Sequence, residues 1–148
     1  MATRHRETLE TRAVWGIGRW LKRLFGRPKH KGAVGKTIYD RPEIANRWQN
    51  ITVLMKKNGP ENFQSAIINA DKLLDYCLKG LGAKGETMGE RLKDSQYLFR
   101  DRVSYQAAWD GHKLRNTLVH DHETEILFHQ ARGAIEQFRK SLEGLGAL

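Results

Sequence analysis

From Asp40 onward, apolar residues recur at three- and four-residue steps, the spacing that lines one face of an α-helix, and nowhere at the alternating step of a half-buried strand. Ile44, Trp48, Ile51 and Met55 form the first stripe. Before it, Asp40-Arg41-Pro42-Glu43 supplies an acceptor at the N-cap, a proline in the first turn and a glutamate at the third position, which predicts a helix over about 41–57. Lys57-Asn58-Gly59-Pro60 ends it, and Pro60 opens a second helix with a stripe of Phe63, Ile67, Ala70, Leu74, Cys77 or Leu78, and Leu81. Cys77 is thereby expected in the core. The glycines of 80–85 read as turn chemistry, and Thr87-Met88-Gly89-Glu90 as a capping box for a short third helix through about Leu98.

Ser104 is expected to cap a fourth helix whose apolar surface is Tyr105, Ala108, Leu114 and Leu118. Asp121 is expected to cap the last, with Glu123 and Glu125 in its first turn, where the helix dipole favours acids. Its stripe is the longest in the chain: Ile126 or Leu127, Ala131, Ala134 or Ile135, Phe138, Leu142 and Leu145. The expected fold is all-α, an antiparallel bundle of four to five helices over residues 37–148.

Charge separates this body from what precedes it. The net +9 of the 148 residues lies almost entirely in residues 1–36, which hold ten Lys or Arg against two Glu; residues 37–148 hold sixteen against fifteen. The expected organisation is a basic N-terminal arm with its linker, then one helical domain. In the arm, Val14, Ile17, Leu21 and Leu24 share a stripe edged by Trp15, Trp20 and Phe25, beside Arg12, Arg19, Lys22 and Arg23. Arg27, Lys29 and Lys31 continue the charge into a Gly- and Pro-containing linker. Such an arm suits nucleic acid, an anionic membrane surface or the domain's own surface. A single cysteine leaves no intramolecular disulfide, no stretch approaches the about 18 apolar residues of a membrane span, and no signal peptide is evident. A cytoplasmic setting is expected, with the arm allowing attachment at the inner face of the membrane.

The chemistry-bearing residues gather between Trp109 and Glu123, WDGHKLRNTLVHDHE. Trp109, His112, Asn116 and Val119 or His120 fall on one helical face at three- and four-residue steps, with Arg115 projecting beside His112. An always-charged guanidinium can grip a phosphate through two donors, and an imidazole exchanges a proton near neutral pH. A face at once this polar and this aromatic fits neither a core nor open solvent, which leads to an expected homodimer interface there. Asp71 and Asp75, four apart on the second helix, are read with Lys72 and Lys79 as a solvated charged face.

Arg115-Asn116-Thr117-Leu118-Val119-His120 resembles the Arg-polar-x3-His signature of the HEPN superfamily, all-helical domains that include metal-independent endoribonucleases, toxins and noncatalytic relatives. The resemblance is in residues at this hexapeptide and in architecture from about Asp40 to Leu145. It implies a homodimer with both copies of the motif in one cleft, His120 as the proton-transfer group, Arg115 as the phosphate anchor and Asn116 and His112 in support. It further implies RNA as substrate, a 2′,3′-cyclic phosphate product and no metal or other cofactor. Asp71 or Asp75 would orient a base across the helix pair, His122 is a substitute for His120 in a looser spacing, and an antitoxin or nucleotidyltransferase-like protein is a possible partner. The noncatalytic alternative is a helical dimerisation, nucleic-acid-binding or membrane-tethered module.

Other chemistries fit less well. His120-Asp121 suggests the centre of an HD-type phosphohydrolase, yet no aspartate follows Asp121 to complete it. His120, His122 and His129 lack a carboxylate at helix-ligand spacing. The plainest reading makes His120 a packing residue at a helix end and pairs Arg115 with an acid on a neighbouring helix.

Overall fold

The computed structural model describes residues 40–120 and 125–148, and of Val119 and His120 the backbone alone. The arm, with Arg12, Arg19, Lys22, Arg23, Arg27, Lys29 and Lys31, lies outside the described residues, as do Asp121, His122 and Glu123. Among the described residues five α-helices follow one another: α1 (Arg41–Lys57), α2 (Pro60–Gly80), α3 (Met88–Asp94), α4 (Arg102–His120) and α5 (Phe128–Gly144), with a 3-10 turn, Gln96–Leu98, after α3. No strand occurs among the described residues. This is the all-α bundle that the periodicity predicts.

α1 and α2 start and stop where the sequence punctuates them. The Asp40 carboxylate accepts from the Glu43 N–H at 3.1 Å, and a two-residue turn at Asn58-Gly59 sends α2 back antiparallel to α1. α2 ends in a Schellman closure: Gly82, at φ +82°, donates to Lys79 O and Ala83 to Leu78 O. The same closure ends α5, where Gly146 donates to Glu143 O and Ala147 to Leu142 O. The Thr87 capping box forms as expected, but α3 stops at Asp94, earlier than predicted, where the buried Ser95 turns its hydroxyl back on Leu92 O at 3.0 Å.

The expected caps of the last two long helices need correction. Asp101, not Ser104, caps α4: its carboxylate accepts from the Ser104 N–H at 2.7 Å, while Ser104 itself is buried. α5 begins at Phe128, well beyond Asp121, so Glu125 is not in its first turn. Its start is held by Gln130, whose side chain accepts from the Leu127 N–H at 2.9 Å.

α2 is the central helix. It packs on α1, α3, α4 and α5, and its buried set (Phe63, Ala66, Ile67, Ala70, Leu73, Leu74, Cys77, Leu78) wraps well past one stripe. Burial pushes the Cys77 thiol up to about 12, which makes it a core hydrophobe and no nucleophile at neutral pH. α4 and α5 run antiparallel in close contact, Gly111 against the Phe138 ring and Gly144 against Ser104, and Arg100 N–H binds Gly144 O at 2.8 Å. The buried register of α4 is Ser104, Ala107, Ala108 and Gly111, so Leu114, placed in the apolar stripe by periodicity, turns outward. Trp109 is buried within the chain, which removes it from the expected dimer face.

Two glycines of α5 give opposite expectations. A Cβ on Gly144 collides with the Ser104 side chain, whereas one on Gly133 meets nothing within 4 Å. Gly144→Ala should destabilise by about 1–3 kcal/mol through overpacking. Gly133→Ala should stabilise by roughly 0.5–1 kcal/mol through helix propensity. Urea unfolding followed by circular dichroism reads both, and shifts of the same sign would contradict the close crossing.

Candidate functional site

Three of the sequence-predicted residues, His112, Arg115 and Asn116, meet Asp71 at the seam between α2 and α4. Asp71 projects from the middle of α2, where Ile67, Ala70 and Leu74 put it on the buried register, and its side chain is only 10 % exposed. A carboxylate in that position needs partners, because removing an unpaired charge from water costs far more than any single contact returns. α4 supplies them. His112 Nδ1 lies 2.8 Å from Asp71 Oδ1, and Arg115 Nε lies 3.6 Å from Asp71 Oδ2. Asn116 Nδ2 stands 3.3 Å from His112 Nε2, and Arg115 Nη1 donates to Asn116 Oδ1 at 2.9 Å. Asp71, His112, Asn116 and Arg115 therefore close a ring.

Its donors and acceptors fit together in one way. Arg115 has donors only, so the oxygen of Asn116 must face it, and the amide N–H₂ then faces His112. An N–H pointing at Nε2 requires the lone pair there, which leaves the imidazole proton on Nδ1, aimed at Asp71. In this arrangement Asn116 covers Nε2 and Asp71 takes the Nδ1 side of the ring. The Asp71 and Arg115 charges offset one another.

Arg115 is the open member. Its side chain is 27 % exposed, against 16 % for His112. Nε is buried without a hydrogen bond, since the Asp71 oxygen it faces stands 3.6 Å away, at ion-pair distance only. Leaving that buried donor unsatisfied costs about 1–3 kcal/mol, and only the exposed part of the side chain is open to solvent. His120 occupies the last turn of α4, five residues beyond Arg115; its side chain is outside the described residues.

The reading of Asp71 and Asp75 as a solvated face is wrong for both. Asp71 is buried in the ring, and Asp75 joins a second cluster that the sequence reading missed. There the buried Arg91 of α3 donates through Nε to Asp75 at 2.6 Å and through Nη1 to Gly85 O at 2.6 Å, with Lys79 2.7 Å from Asp75. Gly85 sits at φ +138° with no room for a Cβ, which explains the glycine. Burial pushes the Asp75 carboxyl up, but hydrogen bonds from Arg91 and Lys79 and their charges outweigh it and hold it below the ordinary carboxylate range. Register was the available signal for Asp71, three before Leu74 and four after Ile67. For Arg91 there was none, because one arginine in a short polar helix looks like any solvated cation.

Among the described residues no group of three His, Cys, Asp or Glu is placed to hold a metal ion, and no helix is long and apolar enough to cross a membrane. No family model matches the chain, and neither a curated protein nor a solved structure does.

Two measurements test these clusters. Long-range proton–nitrogen NMR at neutral pH should show the His112 ring with its proton on Nδ1 and a bare Nε2; a protonated Nε2 would break the ring as drawn. Asp75, whose folded-state pKa is depressed, contributes stability above its unfolded value of about 3.9, lost as pH falls through the lower folded value. Asp75→Asn should therefore be less stable than the parent at neutral pH, and its stability should decline less steeply below about pH 4.

Proposed function

We propose that this chain is an HEPN-like, metal-independent endoribonuclease acting as a homodimer, a toxin or defence effector in type. The observation that carries the reading is the state of Arg115: a guanidinium at the α2–α4 seam, part-exposed and short of partners, on the same helix as His120 and five residues before it. That is the order and spacing of the Arg-polar-x3-His signature, in an all-helical bundle of the kind in which the signature occurs.

On this reading Arg115 anchors the scissile phosphate and stabilises the charge that builds as it becomes pentacoordinate. His120 takes the proton of the ribose 2′-hydroxyl or delivers one to the leaving oxygen, and two copies provide both roles across a two-fold axis. The products are a 2′,3′-cyclic phosphate and a free 5′-hydroxyl. Asn116, Asp71 and His112 are positioning residues. Their ring fixes the guanidinium from one side and leaves the other to substrate. With Trp109 buried in the chain, the interface would rest on the outward residues of α4 beyond it, among them Lys113, Leu114 and Thr117. The basic arm would add affinity for phosphate backbone without sequence preference.

A second reading has one observation in its favour. Arg115 faces the carboxylate of Asp71 on a neighbouring helix, the pairing expected of a structural arginine. It makes the chain a noncatalytic HEPN-like dimerisation or nucleic-acid-binding module, with the arm as tether.

Incubating the purified protein with mixed RNA in EDTA separates the two. Cleavage should proceed, leave cyclic-phosphate ends and spare DNA, which lacks the attacking hydroxyl. His120→Ala should lower the rate by about a hundredfold or more, and His122→Ala should not. Arg115→Lys should fail as Arg115→Ala does, because lysine lacks the planar fork. Arg115→Ala should also cost about 1–3 kcal/mol of stability through the abandoned Asp71 and Asn116; His120→Ala with full cleavage, or no cleavage by the parent, would leave the module.

A further inference from the structure

α1 and α5 both pack on α2 yet make no substantial contact with each other, and they run antiparallel with an open groove of about 830 Å³ between them. Trp48 and Met55 of α1 face Phe128 and Ile135 of α5 across it. None of the four is fully buried, and Phe128 is 50 % exposed with its ring tilted against that of Phe63 at 5.7 Å between centroids. From Trp48 to Asn58, and from Phe128 to Arg139, each wall is about 15 Å long at 1.5 Å per helical residue. The space has the width between two helices already seated on a third, and the length of about three turns of one more.

Charge selects the occupant. Of the four charged side chains lining the groove, Lys56, Arg132 and Arg139 are cationic and Glu136 is anionic; Arg139 is paired with Glu143 at 2.9 Å, so the charge offered to an occupant rests on Lys56 and Arg132, with Lys57 in the last turn of α1. The chain's own arm has an apolar stripe of suitable length, but it carries Arg12, Arg19, Lys22 and Arg23 beside that stripe and would meet like charge. A second copy docked groove to groove would oppose the same three cations to themselves. We propose that the α1–α5 groove is a docking site for an acidic amphipathic helix of another protein, which lays an apolar face on Trp48, Met55, Phe128 and Ile135 and its carboxylates beside Lys56 and Arg132. The mode is helix in groove, with anchors one turn apart on the incoming segment. It uses residues separate from the α2–α4 ring and stands without the ribonuclease reading.

The test uses the full chain and three probes: a helical peptide of about 14 residues with Leu at i, i+3, i+4 and i+7 and Glu on the flanks, the same peptide with Lys for Glu, and oligouridylate. The Glu peptide should bind, as read by titration calorimetry, and should perturb the amide resonances of α1 and α5. The Lys peptide should not bind. Arg132→Glu and Ile135→Asp, both at sites that are not fully buried, should each weaken the Glu peptide by about tenfold or more, and Arg132→Glu should admit the Lys peptide. Equal binding of both peptides by the parent overturns the proposal. So does a Glu peptide whose affinity survives both variants, since the arm then accounts for it. Oligouridylate perturbing the same groove residues and displacing the peptide would make the groove a nucleic-acid surface instead.

Discussion

One carboxylate in the middle of the central helix constrains the rest of this fold. α2 is buried over much of its circumference, and Asp71 lies on the buried side with Ala70 and Leu74 in the core beside it, unlike the exposed Lys72 and Lys79 of the same helix. The alternative to pairing is to protonate the group or to leave it uncompensated, and either costs several kcal/mol. His112 and Arg115 answer it from α4, and Asn116 bridges the two. The rotational setting of α4 is thereby fixed from two directions. Apolar packing turns Ala107, Ala108 and Gly111 inward, and polar matching turns the helix's later residues toward α2.

The architecture was legible in the sequence where local chemistry decides it. Asp40, Pro42 and Asn58-Gly59-Pro60 set both ends of α1 and the start of α2, because an N-cap acceptor and a helix-breaking turn act within a few residues. Where tertiary packing chooses between plausible signals, the reading slipped. Asp101 and Ser104 both offer a cap for α4, and the choice falls to Asp101 because Ser104 is needed against Gly144 in the α4–α5 crossing. α5 starts late because a leucine with a glutamine three residues on can close a helix start, without the polar N-cap that the eye looks for.

The site was half legible. Arg115, Asn116 and His112 were named for their chemistry, and the structure brings all three together. Asp71 was seen but assigned to solvent, since spacing alone cannot tell a carboxylate on the buried edge of a wide stripe from one on the exposed edge. Trp109 has polar neighbours in sequence, which points to a partner, whereas α4 packs against both α2 and α5 and buries that position within the chain. The basic charge of the whole chain says nothing about this seam, which is internally balanced between Asp71 and Arg115.

The two ends of α4 are held by different kinds of force. Its first half lies against α5 with a glycine on one side of each close contact, Gly111 under the Phe138 ring and Gly144 under the Ser104 side chain, so neither contact has room for an added atom. Beyond Gly111 the grip passes to hydrogen bonds on one side. Mechanically this is a cantilever: a beam clamped at its root, with the hexapeptide on the span. Dispersion at the clamp falls off within fractions of an ångström and resists bending, while hydrogen bonds along the span can be exchanged for others of equal strength without breaking the beam. The two grips differ in what they tolerate: hydrogen bonds around Arg115 can be exchanged for others, whereas the contacts at Gly111 and Gly144 admit no added atom.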